Sequence, residues 1–242
     1  MDRLSKVTAW LMLGAALCLG QLAQAQGVQD ACSVEFQVMV FSARKQVSSG
    51  TLANARPAHE LPDLYFIGAD GYEPIAINQT TLSPTYAYSG PTQFSLYARR
   101  DSEDGPIYTP VINVNFGREW ERSIIVVTTA SVGEQKSRAI AINTSEQNVP
   151  AGTILVYNLS MEELVLKAGG EIYNLRPLAP VSVPVSGIKN LTLPVQLALK
   201  DDDDYKLVYR RKWRMQPDVS GVYFLFTLSD NDRRWFMRNV IL

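Results

Sequence analysis

The chain of 242 residues contains a single histidine and two cysteines, and each scarcity excludes something. Catalysis by histidine needs a partnered ring, and zinc sites want several His or Cys ligands. His59 stands alone between prolines in "ARPAHELPD", distant in sequence from either cysteine. It reads as a loop residue, so no catalytic residue, metal or cofactor is expected. Cys18 falls in an apolar N-terminal stretch, which leaves Cys32 as the one thiol of the remaining chain. One thiol builds no internal disulfide framework, so an apolar core must hold the fold. Cys32 itself reads as a small buried hydrophobe, with an intermolecular handle as the alternative. Excess charge is also lacking. The formal net charge is −1, or −2 once Asp2, Arg3 and Lys6 are set aside with the N-terminal stretch. Such a balance gives no general drive toward nucleic acid or anionic membranes.

What the N-terminus does have is a leader pattern. Arg3 and Lys6 precede the apolar "VTAWLMLGAALCLG", and Ala23 and Ala25 supply the small residues a signal peptidase reads. The apolar stretch is short of the roughly 20 residues a span needs, so cleavage after Ala25 and export are expected. Lipidation at Cys18 is disfavoured by Leu17 before it. No later run approaches a spanning length, so no transmembrane segment is expected in the mature chain.

The rest reads almost entirely as short segments of period two. In "VEFQVMVF" Val34, Phe36, Val38 and Val40 alternate with Glu35, Gln37 and Met39. "YTPVINVNF" places Tyr108, Ile112, Val114 and Phe116 on one side. Gly, Pro, Asn and Asp punctuate the segments, as in "GADGYEP" and "SEDGP". Many short strands and no long helical pattern predict an all-β chain of antiparallel sandwiches. "SMEELVLKAGG" has a capping-box spacing from Ser160 to Glu163, yet it is read as a strand because of an internal repeat.

The two halves resemble each other in order. "LSPTYAYSG" (82–90) aligns with "LAPVSVPVSG" (178–187), and "FSLYA" (94–98) with "VQLAL" (195–199). "VNFGREW" (114–120) aligns with "LVYRRKW" (207–213), and each is followed by an apolar strand. Upstream, "LYFI…EPIAI" lines up with "ILVY…ELVLK". The expectation is two tandem related Ig-like sandwiches at 26–145 and 146–242 after a signal peptide at 1–25. Their join is placed in the polar "NTSEQNVPAG". In outline the pattern resembles short Ig-like repeats of exported bacterial proteins.

The motif shared by the halves, aromatic-x-Arg-x-Trp, supplies the candidate binding residues Arg118, Trp120, Tyr209, Arg211 and Trp213. At positions i, i+2 and i+4 of a strand they share one face. The favoured reading is a core-facing aromatic pair with the guanidinium over a ring. The alternative is an exposed aromatic-arginine platform for a glycan or peptide. In "KLVYRRKWR" the basic Lys206, Arg210, Lys212 and Arg214 fall on the opposite face, which suits membrane or anionic-glycan contact better than nucleic acid. "DDDD" (201–204) lacks calcium-loop spacing and reads as a solvated turn. Asn78, Asn143, Asn158 and Asn190 head N-x-S/T triplets, which matter only in a glycosylating pathway.

The sequence therefore points to an exported, non-catalytic binding or structural module of the envelope or exterior, with an envelope protein or glycan as partner. A carboxylate-dependent glycan hydrolase and a two-domain periplasmic chaperone are the alternatives.

Overall fold

A computed structural model describes residues 31–41, 62–77, 81–128, 138–186, 188, 191–201, 204–229 and 232–242. The leader at 1–25, His59, Asn78, Asn190 and the middle of the acidic run lie outside the described residues. Among those described there is no α-helix, and no helix long and apolar enough to cross a membrane.

The first eight strands form two sheets. They are β1 (Ala31–Phe41), β2 (Leu64–Gly68), β3 (Gly71–Ile75), β4 (Tyr86–Pro91), β5 (Gln93–Ser102), β6 (Gly105–Asn115), β7 (Arg122–Thr128) and β8 (Arg138–Asn143). One sheet has the order β4-β1-β7-β8 and the other β3-β2-β5-β6. The next eight are β9 (Thr153–Asn158), β10 (Leu164–Ala168), β11 (Glu171–Leu175), β12 (Pro180–Pro184), β13 (Thr192–Asp201), β14 (Asp204–Arg214), β15 (Gly221–Ser229) and β16 (Asp232–Ile241). They repeat the plan strand for strand, as β12-β9-β15-β16 and β11-β10-β13-β14. Pairing is antiparallel except that β1 lies parallel to β7 and β9 parallel to β15. The all-β, two-sandwich architecture read from the alternation is therefore present, with one parallel pairing in each sandwich.

Each sandwich has its own core. Phe36, Phe66, Phe94 and Phe116 meet in the first, with the Phe36–Phe94 ring centroids 4.9 Å apart. In the second, Trp213 stacks on Tyr223 at 4.8 Å among Leu164, Leu166 and Leu197. A third apolar cluster joins the two. Met39, Phe41, Ile124 and Val126 from the first sandwich pack with Leu155, Tyr157, Val222 and Phe224 from the second. Phe41 lies 5.3 Å from Phe224 and 5.0 Å from Phe226, and the Arg238 guanidinium sits over its ring. The sheets containing β1 and β9 thus pack back to back in the middle of four layers, and the sheets containing β2 and β10 lie outside. This accounts for "SIIVV" and "ILVYN", which are buried on both faces and so lose the alternation.

The segment joining the sandwiches is not a free linker. Thr144, Ser145 and Val149 are buried, and Ser145 Oγ accepts hydrogen bonds from the Glu121 and Arg122 amides. "SMEELVLKA" folds as an Asx-type turn leading into β10. Asn158 Oδ1 accepts from the Ser160 amide and hydroxyl, which takes up the residue that would have capped a helix. The segment is a strand, but by another correspondence. β10 repeats β2 ("LYFIG"), whereas the sequence alignment had set it against "EPIAI", which contributes to β3.

Candidate functional site

The shared aromatic-x-Arg-x-Trp motif dissolves in the structure. "YRRKW" lies within β14, but "FGREW" lies beyond the end of β6, in the turn before β7. The equivalence is given by matching hydrogen bonds. Phe116 N donates to Thr92 O and Met215 N to Leu191 O, then Trp120 N to Gly117 O and Val219 N to Gln216 O. Met215 thus takes the place of Phe116, and Val219 the place of Trp120, at a constant offset. The sequence alignment was out of step here.

The five candidate residues accordingly do different things. Trp213 is buried, and its Nε1 donates to the Tyr209 hydroxyl at 3.1 Å. Arg211 opposes Val195 and so sits on the inward face, yet it is exposed because β14 is the edge strand. A charge placed there discourages pairing with another edge. It does not lie buried under a ring as the sequence suggested. Arg118 is exposed in the turn, and Trp120 is half-buried against Phe116 at 6.3 Å. Gly117 is required beside it, since a Cβ there would run into the Trp120 indole.

A bulge explains a second departure. β5 and β6 pair Leu96 with Ile112 but Tyr97 with Pro110, leaving Val111 as the extra residue. One extra residue exchanges the faces of everything beyond it. Tyr108, read as a core partner of Ile112, therefore points outward. The equivalent bulge leaves Val208 extra between Tyr209 and Leu207 in β14. Lys206 accordingly leaves the face of Arg210 and Lys212, and Leu207 joins it.

The two outer faces are built differently. On the sheet containing β2, Tyr65 and Tyr97 are cross-strand partners at the centre. Tyr72 from edge strand β3 and Tyr108 from edge strand β6 stack at 3.8 Å with their planes 3° apart. Edge contacts join Tyr65 to Tyr108 at 5.2 Å and Tyr72 to Tyr97 at 5.1 Å. Polar groups border the rings: Arg99 pairs with Asp101 at 2.8 Å, and Ser95 Oγ donates to Asn113 Oδ1 at 2.7 Å. All four tyrosines remain partly or largely accessible. In the second sandwich the register puts Val165, Ile172, Ala198 and Tyr205 at the same places. There the outer face is basic instead, with Lys167, Gln196 and Arg210 in one cross-strand row beside Lys212.

The tyrosine face was missed in the sequence because its residues come from four strands and one of them needs the bulge. The signal that was available is the period-two placement of Tyr65 and Tyr97 opposite the buried Phe66 and Leu96. Among the described residues no three His, Cys, Asp or Glu side chains gather where they would hold a metal ion. Cys32 is buried, its thiol pKa raised by burial.

Compared with known protein families and with curated proteins, the sequence matches none.

Proposed function

We propose that the protein is an exported, non-catalytic binding module that recognises a glycan on the tyrosine face of its first sandwich. The observation that supports this reading is the four-tyrosine cluster across β3, β2, β5 and β6, which the equivalent sheet of the second sandwich does not share. Two sheets of one plan have the same structural needs. A cluster confined to one of them is therefore not demanded by the plan the two share, whatever bracing it adds to its own sheet. Partly exposed phenol rings offer apolar surface and a hydroxyl at low entropic cost, which suits the C–H faces and hydroxyls of a sugar. Arg99, Ser95 and Asn113 supply hydrogen-bonding groups beside the rings. Export rests on the leader pattern at 1–25, and the partner is accordingly expected in the envelope or exterior.

The test is a glycan array probed with the mature chain and with Tyr72→Ala and Tyr97→Ala. Binding that falls at least tenfold in both variants, and is unchanged in Tyr205→Ala, supports the reading. An array with no binder, or binding indifferent to Tyr72 and Tyr97, overturns it. Intact mass of the exported chain checks the leader, with Gln26 expected first.

A further inference from the structure

The end of the second sandwich holds a cavity of about 650 Å³, formed where β9, β13, β14, β15 and β16 meet. Its walls are mostly apolar. Ile154, Val185, Met215 and Tyr223 are each more than nine-tenths buried, and Val219 with the exposed Leu191 and Ile241 completes the apolar lining. The volume falls within the roughly 300–1,000 Å³ of small-molecule sites.

The repeat shows why the space exists. At the corresponding end of the first sandwich the two equivalent positions are Phe116 and Trp120, which pack against each other and the core. In the second they are Met215 and Val219, with the same backbone hydrogen bonds holding the turn. At these two positions large rings are exchanged for smaller side chains on a turn held by the same hydrogen bonds, while Val114 is exchanged for Trp213, whose ring stacks on Tyr223. Cores ordinarily fill such space, because an unfilled void costs stability.

The polar lining among the described residues comes from four side chains. Among the described residues that line the cavity, Arg214, the last residue of β14, is the one charged group, with Thr192, Gln216 and Ser220 as neutral neighbours. Among the described residues no carboxylate lines it, although Asp218 stands in the same turn. Among the described residues no acidic side chain lies within salt-bridge distance of Arg214. An occupant that suits these walls has an apolar body and an anionic head.

We propose that this cavity binds a small amphipathic anion, a medium-chain carboxylate or a molecule of that chemistry, with its chain among Ile154, Met215, Val219 and Tyr223 and its head at Arg214. The site is separate from the tyrosine face and does not depend on the glycan reading. Arginine suits the role because it stays charged and offers paired donors to a carboxylate.

The experiment is calorimetric titration of the mature chain with dodecanoate below its micellar range, with dodecyltrimethylammonium and dodecanol as controls. Dodecanoate is expected to bind at one site, and the cationic and neutral analogues at least tenfold more weakly. Val219→Trp, which restores the filled arrangement of the first sandwich, should abolish binding while holding or raising the thermal midpoint. Arg214→Gln, at an exposed position that should not disturb folding, should weaken binding about tenfold and leave the midpoint unchanged. The proposal is overturned if dodecanoate does not saturate, if the cation binds as well, or if binding survives either folded variant unchanged. Should Val219→Trp fail to fold, the Arg214→Gln result decides alone.

Discussion

Tyr72 and Tyr108 belong to opposite edge strands of one four-stranded sheet, and their rings stack at 3.8 Å across the two strands between them. The pair braces the sheet as well as forming its outer face. An aromatic pair contributes about 0.5–1.5 kcal/mol beyond its area. Tyr108→Ala is therefore expected to lower the denaturant midpoint by an amount equivalent to about 1–2 kcal/mol. Ile172→Ala, at the place of Tyr72 in the second sandwich and largely exposed, should stay within about 0.5 kcal/mol of neutral.

Arg211 and its neighbours give a second contrast. Arg211 is exposed on the edge strand, so Arg211→Ala should leave stability within about 0.5 kcal/mol. Tyr209→Phe removes the acceptor of the buried Trp213 Nε1 and should cost about 1–2 kcal/mol. Urea titrations of the two variants check the order. Equal losses would mean that the arginine is held in the core after all.

The cluster between the sandwiches makes the halves interdependent. Phe224 is fully buried there, and Phe224→Ala should cost about 3–5 kcal/mol. Phe41→Ala and Phe224→Ala touch the same contact, so a double-mutant cycle should return a coupling of about 0.5–3 kcal/mol. Limited proteolysis is expected to spare 143–152, since Thr144, Ser145 and Val149 are buried. Early cleavage there with two stable fragments would contradict this packing.

Tyr157 lies in the same cluster, and burial pushes its pKa up to about 12, from an ordinary value near 10. The folded state therefore disfavours the phenolate. The contribution is fully present below about pH 10 and is lost as pH rises through about 12. By linkage it amounts to about 2–3 kcal/mol. Unfolding free energy measured from pH 8 to 12 should fall across that window, and Tyr157→Phe should flatten the fall. A profile identical in the variant would assign the alkaline transition to other groups.

Much of this protein was written locally. Alternation in "VEFQVMVF" placed Val34, Phe36, Val38 and Val40 in the core, and "ADGY" and "EDGP" marked tight turns where Gly71 and Gly105 take φ values of 112° and 116°. That the halves repeat could be read as well, and "LSPTYAYSG" and "FSLYA" were set against their true counterparts, but the upstream strands were matched one strand out of step. Three things required the tertiary structure. A bulge at Val111 or Val208 exists only when two strands pair, and because side chains alternate every residue it reverses the faces of Tyr108 and Lys206. An all-apolar run such as "SIIVV" says that both faces are covered but not by what; the partner came from β9 and β15, many residues away. The likeness of "FGREW" to "YRRKW" was local and misleading, because one lies in a turn and the other in a strand. Only the hydrogen-bonded frame set Trp120 against Val219, and so revealed which end of which sandwich was left open.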